Sequence, residues 1–411
     1  TFSKGLLAPR IGLAYRLGND TVIRAGYGIT YDPYPLSRPL RAPFPAVIVD
    51  EYFGANSFDP AGSLATGIPQ VRFPDISSGV VRIPNSVSTV TLPAGEFRRG
   101  YIQSFNFTVQ RQIFGGFTAQ AGYVGTRSIR QALTNFNINA GVIPGAGQLG
   151  QPLFSKFPGR NTATNVFLPF ATNNYNSLQT QLTRRFSGGL FANASYTWSK
   201  TMGINAGNSD NGLTIYIPSQ MHRNRAVTDF DRTHVFASAV SYQLPFGKGK
   251  QYLNNGFAGA VAGNWQINAG LSAASGGPFS VTASSASLNA PANTQYADQV
   301  KDSVQTLHGH GRGEPYFDGS SYRAVTDARI GTSARNGLRG PGAGNIDLSV
   351  FRVFPITERY QIEFRAESYN FTNTPHFANP TGDVSSSNYT FITGTAEQDQ
   401  RQFRFALRFS F

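Results

Sequence analysis

At 411 residues, with 14% charged residues, 13% aromatics, 44 glycines and no cysteine, the chain can bury sizeable cores but is poor in helix formers, which points to an all-β protein. The lack of cysteine excludes a disulfide scaffold and thiolate metal or redox chemistry. A net charge of +13, from 35 basic against 22 acidic residues, would suit nucleic acid, an anionic membrane surface or an acidic ligand. The bases are dispersed, however, mostly as arginines opposite apolar strand positions and never as a Lys/Arg-rich run, so no nucleic-acid partner is expected.

No stretch approaches the ~18 consecutive apolar residues of a transmembrane helix. The chain opens Thr1-Phe2-Ser3 with neither an initiator methionine nor a signal-peptide pattern, so either the mature protein starts here or the sequence is a piece of a longer one. From that point segments of about ten alternating residues recur. The first, 6–17, sets Ile11, Leu13, Tyr15 and Leu17 against Arg10, Gly12 and Arg16. Gly18-Asn19-Asp20 turns the chain into 21–31, where Ile23, Ala25, Tyr27, Ile29 and Tyr31 oppose Arg24, Gly26 and Gly28. Segment 100–113 carries Phe105, Phe107 and Val109, and Gly115-Gly116 leads into 117–125. Segments 175–186 and 190–200 are joined through Ser187-Gly188-Gly189, the second presenting Leu190, Ala192, Ala194, Tyr196 and Trp198. Segments 232–244 and 264–275 form a further pair, with Trp265, Ile267 and Leu271 on one face. Segments 345–354 and 359–371 meet at Pro355-Ile356-Thr357-Glu358, and 403–411 closes the series with Phe403, Phe405, Leu407, Phe409 and Phe411 against Arg404, Ala406, Arg408 and Ser410. The total is eleven strands.

The connections sort into two kinds. Those between the first and second, third and fourth, fifth and sixth, and ninth and tenth strands are short, and 245–263 is intermediate; 32–98, 127–174, 201–231, 276–344 and 372–398 are long and rich in Gly, Pro, Asn and Ser. Alternating short turns and long loops is the layout of an outer-membrane barrel, with short turns in the periplasm and long loops outside. Opposite the apolar stripe sit Arg16, Gln110, Gln120, Asn193, Gln266, Asn268, Glu363, Arg365, Glu367, Arg404 and Arg408. A sheet in lipid must close on itself to pair its backbone, and closure makes this face a hydrated lumen. Tyr15, Tyr31, Tyr123, Tyr175, Trp198, Tyr242, Trp265, Tyr360 and Phe411 are expected near strand ends on the apolar face, where aromatic belts lie. The competing reading is a soluble β-sandwich with the same aromatics in its core. The expected fold is therefore an antiparallel transmembrane β-barrel. Ile23, Tyr27, Phe105, Phe107, Leu190, Tyr196, Trp198, Trp265, Ile267, Ile362, Phe364, Phe403, Phe405 and Leu407 are expected to face lipid.

Several segments together resemble the β-barrel of TonB-dependent outer-membrane receptors, most closely the Oar-like group. They are Arg24-Ala25-Gly26-Tyr27-Gly28-Ile29-Thr30-Tyr31-Asp32, Tyr175-Asn176-Ser177-Leu178-Gln179 with Arg184-Arg185-Phe186, Ala194-Ser195-Tyr196-Thr197-Trp198-Ser199-Lys200, Asp231-Arg232-Thr233-His234-Val235-Phe236, and Glu367-Ser368-Tyr369-Asn370-Phe371-Thr372-Asn373 followed by Pro375-His376-Phe377. Their order and spacing carry the resemblance, from near Thr1 to Phe411. It implies a barrel of about 22 strands, of which this chain supplies the second half as a single unit over 1–411, with the plug and an N-terminal carboxypeptidase-regulatory-like domain outside it. Arg404, Ala406, Phe409 and Phe411 resemble the C-terminal signal read by the outer-membrane assembly machinery, with alanine where glycine is usual.

The implied function is TonB-dependent transport of an unidentified ligand across the outer membrane of a Gram-negative bacterium. This chain would form part of the wall and the ligand-capturing loops, in contact with outer-membrane lipid and lipopolysaccharide and, through the plug, with the TonB energy-coupling complex. The alternatives are a passive porin-like channel and a barrel-anchored surface binding or secretion protein. No enzyme activity, cofactor or metal is expected: His308-Gly309-His310 offers two imidazoles without further ligands, and His234 and His376 with nearby Ser and Asp do not define a triad. His222, Arg223, Arg225 and Arg232, with Asp229 and Asp231, either hold an anionic ligand at the rim or form a structural ion network.

Overall fold

The computed structural model describes residues 5–32, 44–55, 58–93, 95–204, 212–247, 249–311, 313–357, 359–395 and 400–411. Thr1–Lys4, Glu358 of the ninth turn, and parts of the expected loops (33–43, 205–211 and 396–399 among them) lie outside the described residues. Among the described residues one path of eleven strands organises the chain. They are β1 (Arg10–Leu17), β2 (Thr21–Tyr31), β3 (Tyr101–Gln112), β4 (Phe117–Asn137), β5 (Thr164–Ser187), β6 (Leu190–Gly203), β7 (His234–Gln243), β8 (Trp265–Ala274), β9 (Ala343–Pro355), β10 (Gln361–Tyr369) and β11 (Gln402–Ser410). Each is antiparallel to the next in chain order. Among the described residues β1 and β11 each have one strand neighbour, so the sheet has two free edges.

The turns follow from local chemistry. Gly188 and Gly189, at φ +57° and +80°, supply the left-handed backbone that the β5–β6 hairpin needs. The up-and-down order places every short connection at one end of the sheet. The β7–β8 connection also lies there and holds the helix α1 (Gly256–Ala262).

Two strands run far beyond their expected ends. The sequence places the end of β4 at 125 and the start of β5 at 175, yet the ladder runs on to Asn137 and begins at Thr164. Three register shifts lie between Ser128 and Phe136, and Arg130 takes φ +55°. Such bulges move side chains between faces and erase the period-two signal that marks a strand in sequence. A small parallel ladder, Thr89–Thr91 on Thr164–Val166, also joins the otherwise antiparallel sheet.

The dry core is not in the wall. Three clusters of buried apolar side chains form at the long-loop end: Leu133, Ala140, Ala171, Leu213 and Tyr216; then Ile215, Ile217, Leu288, Ala290, Tyr296 and Ile330; then a third around Phe279, Val281, Phe317, Tyr322 and Ile392. The β6–β7 loop contributes to the first two, and the β8–β9 loop to the last two. The loops thus interlock in series, as one cap above the strands.

Candidate binding passage beneath the loop cap

Register settles which residues share a face. Directly opposed pairs run Ile23↔Val109, Tyr27↔Phe105, Phe107↔Tyr123, Tyr123↔Leu178, Leu178↔Trp198, Tyr196↔Phe236, Leu190↔Tyr242, Tyr242↔Ile267, Ile267↔Val350, Trp265↔Arg352, Arg352↔Phe364, Phe354↔Ile362, Phe364↔Leu407, Ala366↔Phe405 and Ser368↔Phe403. All fourteen residues expected to face lipid therefore lie on one continuous face. Two details differ from the sequence reading. Tyr175 opposes Thr126 and Thr201 and so stands on the polar face. Arg111, Arg184 and Arg352 lie on the apolar face at its short-turn end. There Arg184 packs 5.7 Å from the centre of the Phe117 ring, and Arg352 lies 5.3 Å and 4.3 Å from the ring centres of Trp265 and Phe354. Long basic side chains near an apolar edge cover apolar surface with their stems while their heads reach for polar partners.

The opposite face is a lattice of polar pairs. Arg24 donates to Gln110 at 2.6 Å, Gln181 to Asn193 at 3.1 Å, Gln266 to Asn268 at 2.8 Å and Asn268 to Ser349 at 3.3 Å. Arg365 donates to Glu363 at 2.5 Å. Across the ladder Glu363 stands opposite Arg408 and Glu367 opposite Arg404, so charges alternate over β10 and β11. Sequence spacing identified the Glu-Arg-Glu run on β10; the two arginine partners follow from the β10–β11 register.

Where the polar face of β4–β7 meets the cap, a cavity of about 550 Å³ opens. Its lining includes Gln131, Asn173, Tyr175, Ser199, Phe230 and Arg232. Of the four rim candidates only Arg232 reaches this cavity, and its Nη1 donates to the Asp231 carbonyl at 2.9 Å. Arg225 bonds Asn174, a second lining residue. Arg223 turns away: it donates to the carbonyls of Gly331 and Ser333, both at 2.8 Å, and lies 5.7 Å from the Tyr296 ring centre. His222 and Arg223 sit in the last turn of the 3-10 helix Pro218–Asn224. Burial lowers the pKa of Arg223, which the nearby Tyr296 partly offsets, while Tyr296 itself is raised, chiefly by its own burial.

Sequence reasoning singled out Asp231 but missed its partners and the other residues that hold the cap together. Asp231 is 1% exposed; it accepts from the Thr201 amide at 2.5 Å and from Arg339. Arg335, 6% exposed, donates to the carbonyls of Ile204 at 3.0 Å and Asn224 at 2.5 Å. Asp298 receives both arms of Arg329, at 2.8 Å and 2.7 Å, and these bonds hold its carboxyl below the usual range. Nothing in loop composition marks these pairs, because they join residues 30 to 131 positions apart. His308 and His310 instead pack against the Tyr316 ring, and among the described residues no group of three or more His, Cys, Asp or Glu is placed to hold a metal ion.

A meandering antiparallel sheet with one unbroken apolar face, one hydrated face and loops sorted by length to opposite ends is the wall of an outer-membrane β-barrel. The family described as "Outer membrane beta barrel domain" matches residues 2–404; the chain belongs to that family and is an outer-membrane protein. No curated protein sequence matches it. Among solved structures it is similar to the ferric-catecholate import receptor Fiu of E. coli K12, with 10% identity, a TM-score of 0.43, and 98% of this chain and 34% of that one covered. It is also similar to the ferripyoverdine receptor of the Pseudomonas aeruginosa outer membrane, with 10% identity, a TM-score of 0.45, and 99% and 33% covered. For the ferric enterobactin receptor PfeA of Pseudomonas aeruginosa the figures are 9% identity, a TM-score of 0.48, and 98% and 40% covered. The chain spans at most two fifths of the length of these three proteins.

Proposed function

We propose that this chain forms the C-terminal part of the wall, and the outer capturing loops, of a TonB-dependent transporter for an unidentified ligand. The observation that carries the reading is the cavity between the cap and the polar face of β4–β7, edged by Tyr175 and Arg232. A ligand captured there stands at the outer mouth of a passage lined by hydrogen-bonded polar side chains. The motif order that resembles TonB-dependent barrels supports active rather than passive passage.

The two free edges support completion of the barrel by strands outside this chain, because unpaired backbone is not tolerated in hydrocarbon. Energy coupling to TonB would act through a plug, also outside these residues. The fourteen apolar-face residues meet the acyl chains, lipopolysaccharide borders the long-loop end, and β11, with Arg404, Ala406, Phe409 and Phe411, is the strand offered to the assembly machinery. No catalytic step is assigned to any residue.

Conductance of the native protein in planar lipid bilayers tests the reading. A plugged transporter stays closed in potassium chloride and opens only when urea unfolds the plug. A steady open conductance without urea would overturn it and favour the porin-like channel.

A further inference from the structure

The helix α1 is unusual for a turn that faces water. Its sequence, Gly256-Phe257-Ala258-Gly259-Ala260-Val261-Ala262, holds no polar side chain, and Phe257 and Val261, one helical turn apart, are 85% and 52% exposed. Tyr252 and Leu253, just before it, are also exposed. Seven residues without a side-chain N-cap do not hold a helix in water unaided.

Three of its last four carbonyls are nevertheless engaged. Gly259 O accepts from the Gly263 amide at 3.0 Å, Ala260 O from Arg352, and Val261 O from Arg352 at 2.7 Å and from the Trp265 indole at 3.0 Å. In water such carbonyls need no protein partner; at a low-dielectric boundary each one does. The two donors, Trp265 and Arg352, both belong to the apolar face, at its short-turn end. They tie the helix to the outer side of the wall. The positive guanidinium also complements the negative end of the helix.

We propose that α1 is a membrane foot, its Phe257 and Val261 side chains seated in the phospholipid surface of the leaflet that borders the short turns. Continuity with the apolar face selects lipid as the occupant, and the inference rests on the reading of that face as lipid-contacting. An apolar helix flanked by Trp265, Tyr252 and the basic side chain of Arg352 has the chemistry of an interfacial segment. Such a foot fixes the depth of β7 and β8 in the bilayer.

Single thiols placed by Phe257→Cys, Ile267→Cys and Asn19→Cys in the native protein, labelled with an environment-sensitive fluorophore in phosphatidylethanolamine and phosphatidylglycerol vesicles, provide the test. Brominated acyl chains are expected to quench the label at 257 at least twofold, as they quench that at 267, and to leave that at 19 unchanged. A label at 257 as unquenched as that at 19, with 267 quenched, overturns the foot and leaves the wall reading standing. An unquenched label at 257 that is also shielded from aqueous iodide assigns the surface to a protein partner or a second copy, and equally overturns it. Loss of quenching at 267 overturns the wall reading and the foot together. Val261→Cys repeats the measurement if Phe257→Cys does not fold.

Discussion

The wall and the cap of this molecule solve opposite problems with the same amino acids. In β1 all eight residues are exposed, and in β11 eight of nine are, although both strands are regularly paired on one side. In the cap, Phe167, Leu133, Ile215, Leu288, Tyr296 and Phe317 are each no more than 2% exposed. Among the described residues every buried apolar side chain lies in a long connection or in a strand segment that runs up into one. The difference teaches that hydrophobic burial in water holds the cap, whereas the wall holds by backbone ladders and leaves its apolar face for a solvent that is itself apolar.

Substitutions can break that contrast. The largest effect is expected in the cap: Phe317→Ala, at the centre of the third cluster, should cost about 3–5 kcal/mol of local stability. Hydrogen exchange is expected to rise across 276–342 and 372–395 while the heat-dependent gel shift of the barrel stays. Equal loosening of the wall would show that the two regions are one cooperative unit. Next, Phe405→Lys on the apolar face should cost about 2–4 kcal/mol if that position lies near the bilayer midplane, read as reduced folding yield into vesicles. Arg404→Lys, on the polar face one residue away, is the matched control and should change little.

The smallest expected effect is electrostatic. Asp298→Asn removes a charge-assisted pair with Arg329, which is 43% exposed at its side chain, for about 1–3 kcal/mol. Because the folded carboxyl titrates below its ordinary value of 3.8, its contribution is present above that pH and is lost as the pH falls through the lower folded value. Cap protection measured against pH should therefore be flat from neutral to about pH 5 and fall below about pH 4. A fall centred near pH 6 would assign the titration to histidine instead.

How much was legible in the sequence differs between the same two regions. Ten residues from Arg359 to Ser368 are enough to recognise β10, since Ile362, Phe364 and Ala366 alternate with Glu363, Arg365 and Glu367. The same rule loses β4 after Gly125, where bulges beyond Ser128 shift its register and Leu133 is buried in the first cluster of the cap. The cap candidates were found as a charged cluster around His222–Arg232. What each does was not legible: Arg223 binds loop carbonyls, Arg225 bonds Asn174 and Arg232 edges the cavity.

The sequence alone determined eleven strands, their two faces and the sorting of turns from loops, because a strand's alternation is written in neighbouring residues and needs no distant partner. Tertiary structure alone decided that the long loops interlock, that Asp231 meets Arg339 and Asp298 meets Arg329, and that a polar cavity opens beneath them. Those contacts join residues far apart in the chain, and their pairing is set by which loops the finished wall brings side by side.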